Sequence, residues 1–334
     1  MIFHKNAVAI FTEPQKIELV NLPITTLKEE DVCVEYLYCG ICGGDYSVYA
    51  GLRNNFPISL GHEFVGRIVS VGQSVEELKI GQYVVSDFNF RCKRCEYCVS
   101  RKSHLCLHND DKLFSNRGFA NYACIHSSYL VPIDPPKYLP RACLIEPLSC
   151  VIHASKCSNI HSGMNILISG GGSIGMLFCF LLCNSYKDIN IYVNEKNSEK
   201  TKKLCSYFNV LPYNKESKNK FDLIIDCSNS VSGLNFSLDT AKRGSNLCIM
   251  SHIYGLETSF IYEKICKKEL LCVFPLRNGE RSNLTIASQL INDLWKKEFD
   301  SLLYVYDDII KAFNEKSKSP HCKQIVKSSS LSIS

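Results

Sequence analysis

Four cysteines at a regular spacing constrain this chain more than any other feature of its sequence. Cys92, Cys95 and Cys98 are separated by two residues each, and Cys106 follows after seven more residues. Four thiolates on one short loop can form the closed tetrahedral sulfur shell of a structural zinc site. A four-cysteine iron–sulfur site is the weaker alternative, because nothing else in the sequence suggests electron transfer. The segment 92–106 is therefore predicted to be a metal-bound lobe.

Length and charge describe a globular protein that does not resemble a nucleic-acid binder. The chain has 334 residues, enough for about two domains. Its net charge is +5 and its pI about 8.3, whereas nucleic-acid-binding domains are typically above pI ~9. The N-terminal residues lack a secretory signal, so we expect a cytoplasmic protein whose 19 cysteines stay reduced. The longest apolar run, eight residues, is too short to span a membrane.

The pattern of apolar segments changes along the chain. Short alternating segments in residues 7–86 predict the β-strands of a barrel-like or sandwich domain. From about residue 164, continuous apolar strands alternate with helical stretches, which predicts a parallel sheet covered on both faces. The C-terminal part is predicted to hold two helices and one strand, at residues 281–297, 306–314 and 323–327, before a frayed serine-rich tail.

A glycine-rich turn lies at the start of the second pattern. Its three glycines form Gly-x-Gly-x-x-Gly between a predicted strand and a predicted helix, which lets the backbone approach a pyrophosphate. An acidic residue ends the next strand, where it can accept hydrogen bonds from ribose hydroxyls and repel a 2′-phosphate, so NAD(H) is predicted to be preferred over NADP(H). The predicted cofactor-binding residues are Gly170, Gly172, Ser173, Ile174, Gly175 and Glu195.

A second group of candidate metal ligands lies upstream of the four-cysteine segment. Cys42 and His62 are twenty residues apart, and Glu63 and the later Glu146 can supply a carboxylate. A thiolate, an imidazole and a carboxylate are ligand types of a catalytic zinc, which keeps one position open for water or substrate. Considered alone, His62 could equally be a histidine of the core, and Glu146 could be a residue of a loop. The spacing of these residues therefore indicates a metal site less strongly than the four cysteines do.

Taken in this order, the three groups of residues resemble the zinc-dependent medium-chain dehydrogenase/reductase family. The resemblance extends over about residues 1–327, and Gly40-Ile-Cys42 and Gly61-His62-Glu63 are among the matching pieces. The segment Leu144–Ser149, followed by Ile152-His153-Ala154, is most similar to the sorbitol and polyol-phosphate dehydrogenase branch. Classical alcohol dehydrogenases have a second cysteine where this chain has a glutamate.

The resemblance implies an α/β protein of two domains. One is a GroES-like, β-rich, zinc-binding catalytic domain made of residues 1–153 and 275–334. The other is a doubly wound Rossmann domain for NAD(H), residues 154–274. The resemblance also implies a homodimer or homotetramer formed by pairing of edge strands, for which Leu270–Phe274 is the candidate.

The resemblance further implies roles for single residues at the catalytic zinc. Cys42 and His62 would bind the metal, with Glu63 as a ligand or a nearby carboxylate. Glu146 would bind the metal directly or through its water. Asp45 would hydrogen-bond the far nitrogen of His62 and so fix the orientation of the ring.

One position departs from the family pattern. The family usually has a serine or threonine two residues after the zinc cysteine, and its hydroxyl passes the alcohol proton towards solvent. This chain has Gly44 there, and Ser47 stands at the next relay position. We therefore expect the proton to leave through the zinc-bound water and Glu146.

The predicted function is hydride transfer between NAD(H) and a secondary alcohol or ketone of a polyol, sugar or sugar phosphate, with two zinc ions per chain. An amino-alcohol dehydrogenase of the threonine type is one alternative, and a zinc-stabilised relative that is non-catalytic or binds nucleic acid is another. The expected partner is a small molecule, with no nucleic acid and no membrane. Candidate cations for a substrate phosphate are Arg53, Lys112, Arg117 and Arg277.

Overall fold

A computed structural model describes residues 6–53, 56–89, 91–108, 118–217, 220–253 and 258–332. The strands in these ranges are β1 (Ala7–Glu13), β2 (Lys16–Asn21), β3 (Asp31–Gly40), β4 (Glu63–Val71), β5 (Tyr83–Ser86), β6 (Tyr122–His126), β7 (Leu130–Ile133), β8 (Asn165–Ser169), β9 (Asn190–Asn194), β10 (Leu211–Pro212), β11 (Leu223–Asp226), β12 (Asn246–Ile249), β13 (Leu271–Val273), β14 (Leu303–Tyr306) and β15 (Lys323–Lys327). The α-helices are α1 (Gly43–Tyr49), α2 (Glu96–Val99), α3 (Ile145–Cys157), α4 (Ser173–Ser185), α5 (Ser198–Tyr207), α6 (Val231–Thr240), α7 (Thr258–Lys268), α8 (Ser282–Leu294) and α9 (Ile309–Glu315). No helix within these ranges is long and apolar enough to cross a bilayer.

The β-rich sheet combines strands from both ends of the chain. Its order is β14-β15-β3-β4-β5-β7, and β6 also pairs with β3. Val32, Val34 and Tyr36 of β3 are buried on one face of the sheet, as the period of a strand requires. Strand β15 runs antiparallel to β3 and places Ile325 opposite Gly40. The C-terminal strand therefore lies beside the end of β3 that leads into α1.

The second sheet has six parallel strands in the order β10-β9-β8-β11-β12-β13. Strands β9 and β11 lie on opposite sides of β8, so the order reverses there and opens a crevice at the carboxyl edge. Ser169 of β8 is level with Asp226 of β11, and both strands end at this edge. The predicted α/β class, a β-rich part and a parallel-sheet part, is confirmed.

Helix α3 joins the two parts of the molecule. It packs against α4 of the parallel-sheet part and against α8 near the C-terminus. Leu148, Val151 and Ile152 belong to one large core together with the buried face of α4. The first turn of α3, which carries Glu146, is thereby fixed between the two sheets. The domain boundaries expected at residues 153 and 275 stay a prediction.

The C-terminal segment differs from the sequence prediction in two respects. Residues Leu303–Tyr306 form β14, and α9 begins at Ile309, because Leu303 and Tyr306 are buried against the β-rich core. The expectation of a frayed tail is wrong as far as residue 332. Leu331 is buried, and the Asn121 amide donates hydrogen bonds to the carbonyls of Ser328 and Leu331.

Candidate active site

The four cysteines of the lobe lie together, as their spacing predicts. Every pair of their sulfur atoms lies within 4.8 Å, and the Cys92–Cys98 and Cys95–Cys106 sulfurs are 3.9 Å apart. Four sulfurs at Zn–S bonds of ~2.3 Å in a tetrahedron are about 3.8 Å from one another. The arrangement therefore fits one tetrahedral zinc ion without a free coordination position.

The lobe is attached to the β-rich sheet by a buried carboxylate. Arg91 donates a hydrogen bond to Asp87 at 2.5 Å and another to Ser103 at 2.9 Å. Arg281, at the start of α8, also donates to Asp87, at 3.1 Å. Asp87 is fully buried, so both guanidinium groups compensate a charge that would otherwise be costly to bury. The lobe is thus fixed at a defined position on the molecule.

The second cysteine site is built by strand pairing. Cys42 follows β3 and caps α1: its sulfur accepts a hydrogen bond from the Gly44 amide at 3.4 Å, and its own amide donates to Asp45 at 3.0 Å. The pairing of β3 with β4 brings His62 and Glu63 to the same end of the sheet. The ligand atoms of Cys42, His62 and Glu63 all lie within 4.8 Å of one another.

The electrostatics of this second site favour a bound cation. Burial by itself lowers the pKa of His62, but the hydrogen bond with Cys42 and the charge of Asp45 raise that pKa well above its usual range overall. Burial raises the pKa of Glu146 to about 7, against the opposing effect of the His62 imidazole. A buried imidazole whose pKa is raised lies in a region of negative electrostatic potential. A divalent cation bound in that region would be stabilised. The donor set and its charge therefore fit zinc.

Glu63 has a partner that the sequence analysis missed. Lys323 of β15 is fully buried and donates a hydrogen bond to the Glu63 carboxylate, which is also buried. Gly40 leaves the room for this ion pair, because a Cβ atom there would lie 2.5 Å from Lys323 Cε. One oxygen of Glu63 is thus occupied by the lysine. The available signal was a lysine at the start of a predicted strand whose middle residues include Ile325 and Val326.

Two predicted contacts around the site have a different geometry in the structure. The Asp45 carboxylate lies 3.8 Å from His62 Nδ1, which is an ion-pair distance and longer than a hydrogen bond. The Ser47 hydroxyl donates to the Gly43 carbonyl at 3.0 Å inside α1. Since Gly44 has no side chain, neither relay position offers a free hydroxyl.

Of the candidate cations for a substrate phosphate, Arg277 is near the site. The rings of His62 and Phe88 are 4.5 Å apart, and the Arg277 guanidinium lies 5.8 Å from the centre of the Phe88 ring. Arg53 is exposed. The other two predicted cations, Lys112 and Arg117, lie outside the described residues.

The glycine-rich turn has the shape of a phosphate cradle. Gly170 adopts φ +104°, and a Cβ atom at Gly175 would lie 1.9 Å from the Gly170 carbonyl oxygen, so both positions require glycine. A Cβ atom at Gly172 would point into open space, and no side chain caps α4. The buried Ser173 hydroxyl has no partner among the described residues. The turn and the N-terminus of α4 therefore fit the pyrophosphate of a dinucleotide.

Glu195 lies against this turn, as predicted. Its carboxylate accepts hydrogen bonds from the amides of Gly171 at 2.7 Å and Asn197 at 2.8 Å. Asn229, which the sequence analysis missed, follows β11 at the same edge of the sheet. The Asn229 side-chain nitrogen lies 2.7 Å from the position that a Cβ atom on Gly43 would take. Since Gly43 directly follows Cys42, the crevice of the parallel sheet faces the Cys42 site.

Comparison with known proteins agrees with this architecture. The alcohol dehydrogenase GroES-like domain family matches residues 28–135. D-xylulose reductase A of Aspergillus oryzae is 25% identical, over 93% of this chain and 93% of its own length. D-arabitol-phosphate dehydrogenase of Enterococcus avium is 33% identical, over 48% of this chain and 47% of its own length. Over nearly its whole length the chain is thus similar to zinc-type dehydrogenases of the medium-chain dehydrogenase/reductase family.

A solved structure has the same fold as this chain. Galactitol-1-phosphate dehydrogenase from Escherichia coli superimposes with a TM-score of 0.82 at 20% identity, over 96% of this chain and 99% of that one. At this identity the match establishes the shared fold. It accounts for the β-rich sheet, the parallel sheet and the helix between them as one family architecture.

Proposed function

We propose that this chain is a zinc-dependent dehydrogenase that transfers a hydride between NAD(H) and a secondary alcohol or ketone of a polyol, sugar or sugar phosphate. The observation that carries the proposal is the position of the Cys42 site opposite the glycine-rich turn, across the crevice that Gly43 and Asn229 line. A hydride donor or acceptor on a dinucleotide in that crevice and a substrate at the metal would lie against each other. The four-cysteine lobe, which has no open position, serves stability alone.

Each residue near the metal has a task in this proposal. Cys42 and His62 hold the zinc, which acts as a Lewis acid towards the substrate oxygen. Lys323 donates a hydrogen bond to the Glu63 carboxylate and orients it beside them. Glu146, which is buried in the first turn of α3 and interacts electrostatically with His62, exchanges the alcohol proton at its carboxylate.

The proposed coenzyme is NAD(H) rather than NADP(H). The Glu195 carboxylate lies against the turn where the adenosine ribose would bind, and it faces a 2′-phosphate with a like charge. Lys196 lies next to it, but its ammonium group is 3.3 Å from the Ser232 hydroxyl. Glu195 therefore decides the preference for NAD(H) over NADP(H).

The proposed substrates follow the names of the relatives, which include a xylulose reductase and an arabitol-phosphate dehydrogenase. Arg277 is the described cation best placed to distinguish phosphorylated from free polyols, because it contacts the ring that packs on His62. Replacing Arg277 with methionine should lower kcat/KM for polyol phosphates and leave that for free polyols unchanged.

We also propose that the protein is a homodimer or homotetramer. Strand β13 is an edge of the parallel sheet, and the side chains of Leu271 and Phe274 at this edge are 64% and 67% exposed. An exposed apolar edge strand is suited to pairing with a second copy. Light scattering on the purified protein gives the number of chains directly. The cytoplasmic location expected from the sequence stays a prediction.

The proposed activity is tested by the absorbance of the reduced nicotinamide. Purified protein with a measured zinc content is mixed with NAD⁺ or NADP⁺ and a panel of free polyols, polyol phosphates and threonine, and with the matching ketones in the reverse direction. Turnover of one polyol class with NAD⁺ supports the proposal. Turnover of threonine alone identifies an amino-alcohol dehydrogenase, and no turnover by protein that holds both zinc ions contradicts the proposed activity.

A further inference from the structure

Two cysteines outside both metal sites face each other across neighbouring strands. Cys33 of β3 and Cys124 of β6 are direct partners in the antiparallel register. Their sulfur atoms are 2.7 Å apart. The cysteines that the sequence analysis left without a chemical role thus include a vicinal dithiol, formed by residues far apart in the chain.

The dithiol lies on the face of the sheet that points away from the core. Val32 and Val34 are fully buried in the core on either side of Cys33, and Ile125 is buried there beside Cys124. Because alternate residues of a strand point to opposite faces, the two cysteines share the other face. Cys124 is partly exposed, and β6 pairs with β3 alone among the described strands. Cys33 itself is buried, so a small reagent reaches the pair through Cys124, from the side of β6.

The backbone geometry permits a covalent link. Directly opposite residues of an antiparallel pair have Cα atoms about 4.5–5.5 Å apart, and a disulfide needs roughly 4.4–6.8 Å. The register is fixed on both sides, by Val32 opposite Ile125 and by Val34 opposite Ala123. Closing the bond therefore needs a rotation of side chains and no change of register.

We propose that Cys33 and Cys124 are a redox modification site that low-molecular-weight disulfides, such as oxidised glutathione, convert into an intramolecular disulfide. A thiolate of the pair attacks one sulfur of the reagent, whose S–S bond breaks and releases one thiol. The second cysteine then attacks the mixed disulfide, forms the Cys33–Cys124 bond and releases the second thiol. The protein loses two electrons and two protons, and the reagent gains them as two thiols.

The direction of the cysteine pKa values supports such an exchange. The hydrogen bond from Cys124 lowers the pKa of Cys33 below its usual value, while the partner thiol keeps its proton. Isolated buried thiols behave differently: burial raises the pKa of Cys143 to about 12. The dithiol should therefore react more readily than a buried thiol such as Cys143.

The link would close a long loop of the chain. Residues 33–124 include Cys42, His62 and the whole four-cysteine lobe. A cross-link of this length restricts the unfolded chain, so oxidation should stabilise the folded protein. Cys33 lies near the start of β3, and Cys42 follows its other end, so activity at the metal site should change little.

The test uses the zinc-loaded full chain. It is incubated with oxidised glutathione, alkylated, digested with trypsin without reduction and analysed by mass spectrometry. Cleavage after lysine and arginine places Cys33 in the peptide 29–53 and Cys124 in the peptide 118–137. Fragment spectra distinguish Cys33 from the two other cysteines of its peptide. Cys266→Ser, which removes an exposed cysteine elsewhere, is the matched control.

The expected result is that the two peptides are joined, with zinc content unchanged. The joined peptide should also form in Cys266→Ser and be lost in Cys124→Ser. The melting temperature should rise by several degrees on oxidation and return with a reductant. The proposal is overturned if glutathione stays as a single adduct at either cysteine, or if the first disulfide involves the lobe and releases zinc. The wild-type peptide map decides this even where a variant folds poorly.

Discussion

The four-cysteine lobe and the Cys42 site both gather metal-binding side chains, but they differ in their ligand atoms and in how they are assembled. All four sulfurs of the lobe come from residues 92–106, and they fill a tetrahedron. The Cys42 site takes Cys42 from the residues just after β3, His62 and Glu63 from the point where β4 begins, and a supporting lysine from β15. Four protein ligands close the coordination shell of a zinc ion, whereas a site with fewer protein ligands leaves a position open for water or substrate. We therefore expect the lobe to serve stability and the Cys42 site to serve activity.

The largest effect is expected when a ligand of the Cys42 site is removed. His62→Ala should lower kcat/KM by about 10³-fold or more, on the order of 4 kcal/mol of transition-state stabilisation. Metal analysis should show one zinc per chain in place of two, with the melting temperature nearly unchanged. His126→Ala, at a histidine on the surface of the same sheet, is the control. Activity within tenfold of wild type would contradict the assignment.

Removing a ligand of the four-cysteine lobe should instead lower the stability of the folded protein. Cys95→Ser leaves a three-sulfur site, so one zinc per chain should be lost and the free energy of unfolding should fall by about 4 kcal/mol. Turnover per folded molecule should stay within tenfold of wild type, since the four cysteines of the lobe and the Cys42, His62 and Glu63 group are two separate sets of ligands. Denaturant unfolding and a coenzyme assay measure the two effects. A variant that unfolds normally but loses turnover would reverse the roles of the two sites.

The ion pair between Lys323 and Glu63, beside the Cys42 site, provides a finer test. Lys323→Met leaves the buried Glu63 carboxylate without its partner, which should cost about 3 kcal/mol of folding stability. Adding Glu63→Gln should restore most of this loss, because the buried charge is then removed. Lys327→Met, at the exposed end of the same strand, is the matched control. Equal effects of the two methionine variants in urea unfolding would show that the pair does not support the site.

The smallest expected effect concerns the coenzyme. Glu195→Ala removes the carboxylate that faces the ribose, so the ratio of kcat/KM for NAD⁺ to that for NADP⁺ should fall by about 10–100-fold. Glu199→Ala, at an exposed position on the following helix, should leave the ratio unchanged. Steady-state kinetics with both coenzymes measure the change. An unchanged ratio in Glu195→Ala would place coenzyme choice elsewhere in the crevice.

Features encoded within a short stretch of sequence could be predicted, and those created by topology could not. The lobe and the glycine-rich turn are contiguous, so their spacing indicates both residues and chemistry. Lys323 meets Glu63 because β15 pairs with β3, and the sequence does not reveal this pairing. Asn229 approaches Gly43 for a similar reason, since it belongs to the other sheet.

The same distinction explains two smaller errors in the prediction. Tyr306 was expected in a helix because apolar residues recur after it at helical spacing, but β14 gains hydrogen bonds from β15, which lies beyond the range of local patterns. The tail was expected to fray because it is rich in serine. A single buried leucine and the Asn121 amide hold it in place, and these are contacts with a distant strand.

The most direct test of the central claim is stepwise removal of metal from the wild-type protein. A chelator is added to the zinc-loaded chain, and zinc content, turnover and melting temperature are followed together. The account predicts that loss of the first zinc abolishes turnover while the melting temperature stays nearly constant, that added zinc restores turnover, and that loss of the second zinc destabilises the fold. Full turnover after the first zinc has left, with the melting temperature lowered, would contradict it.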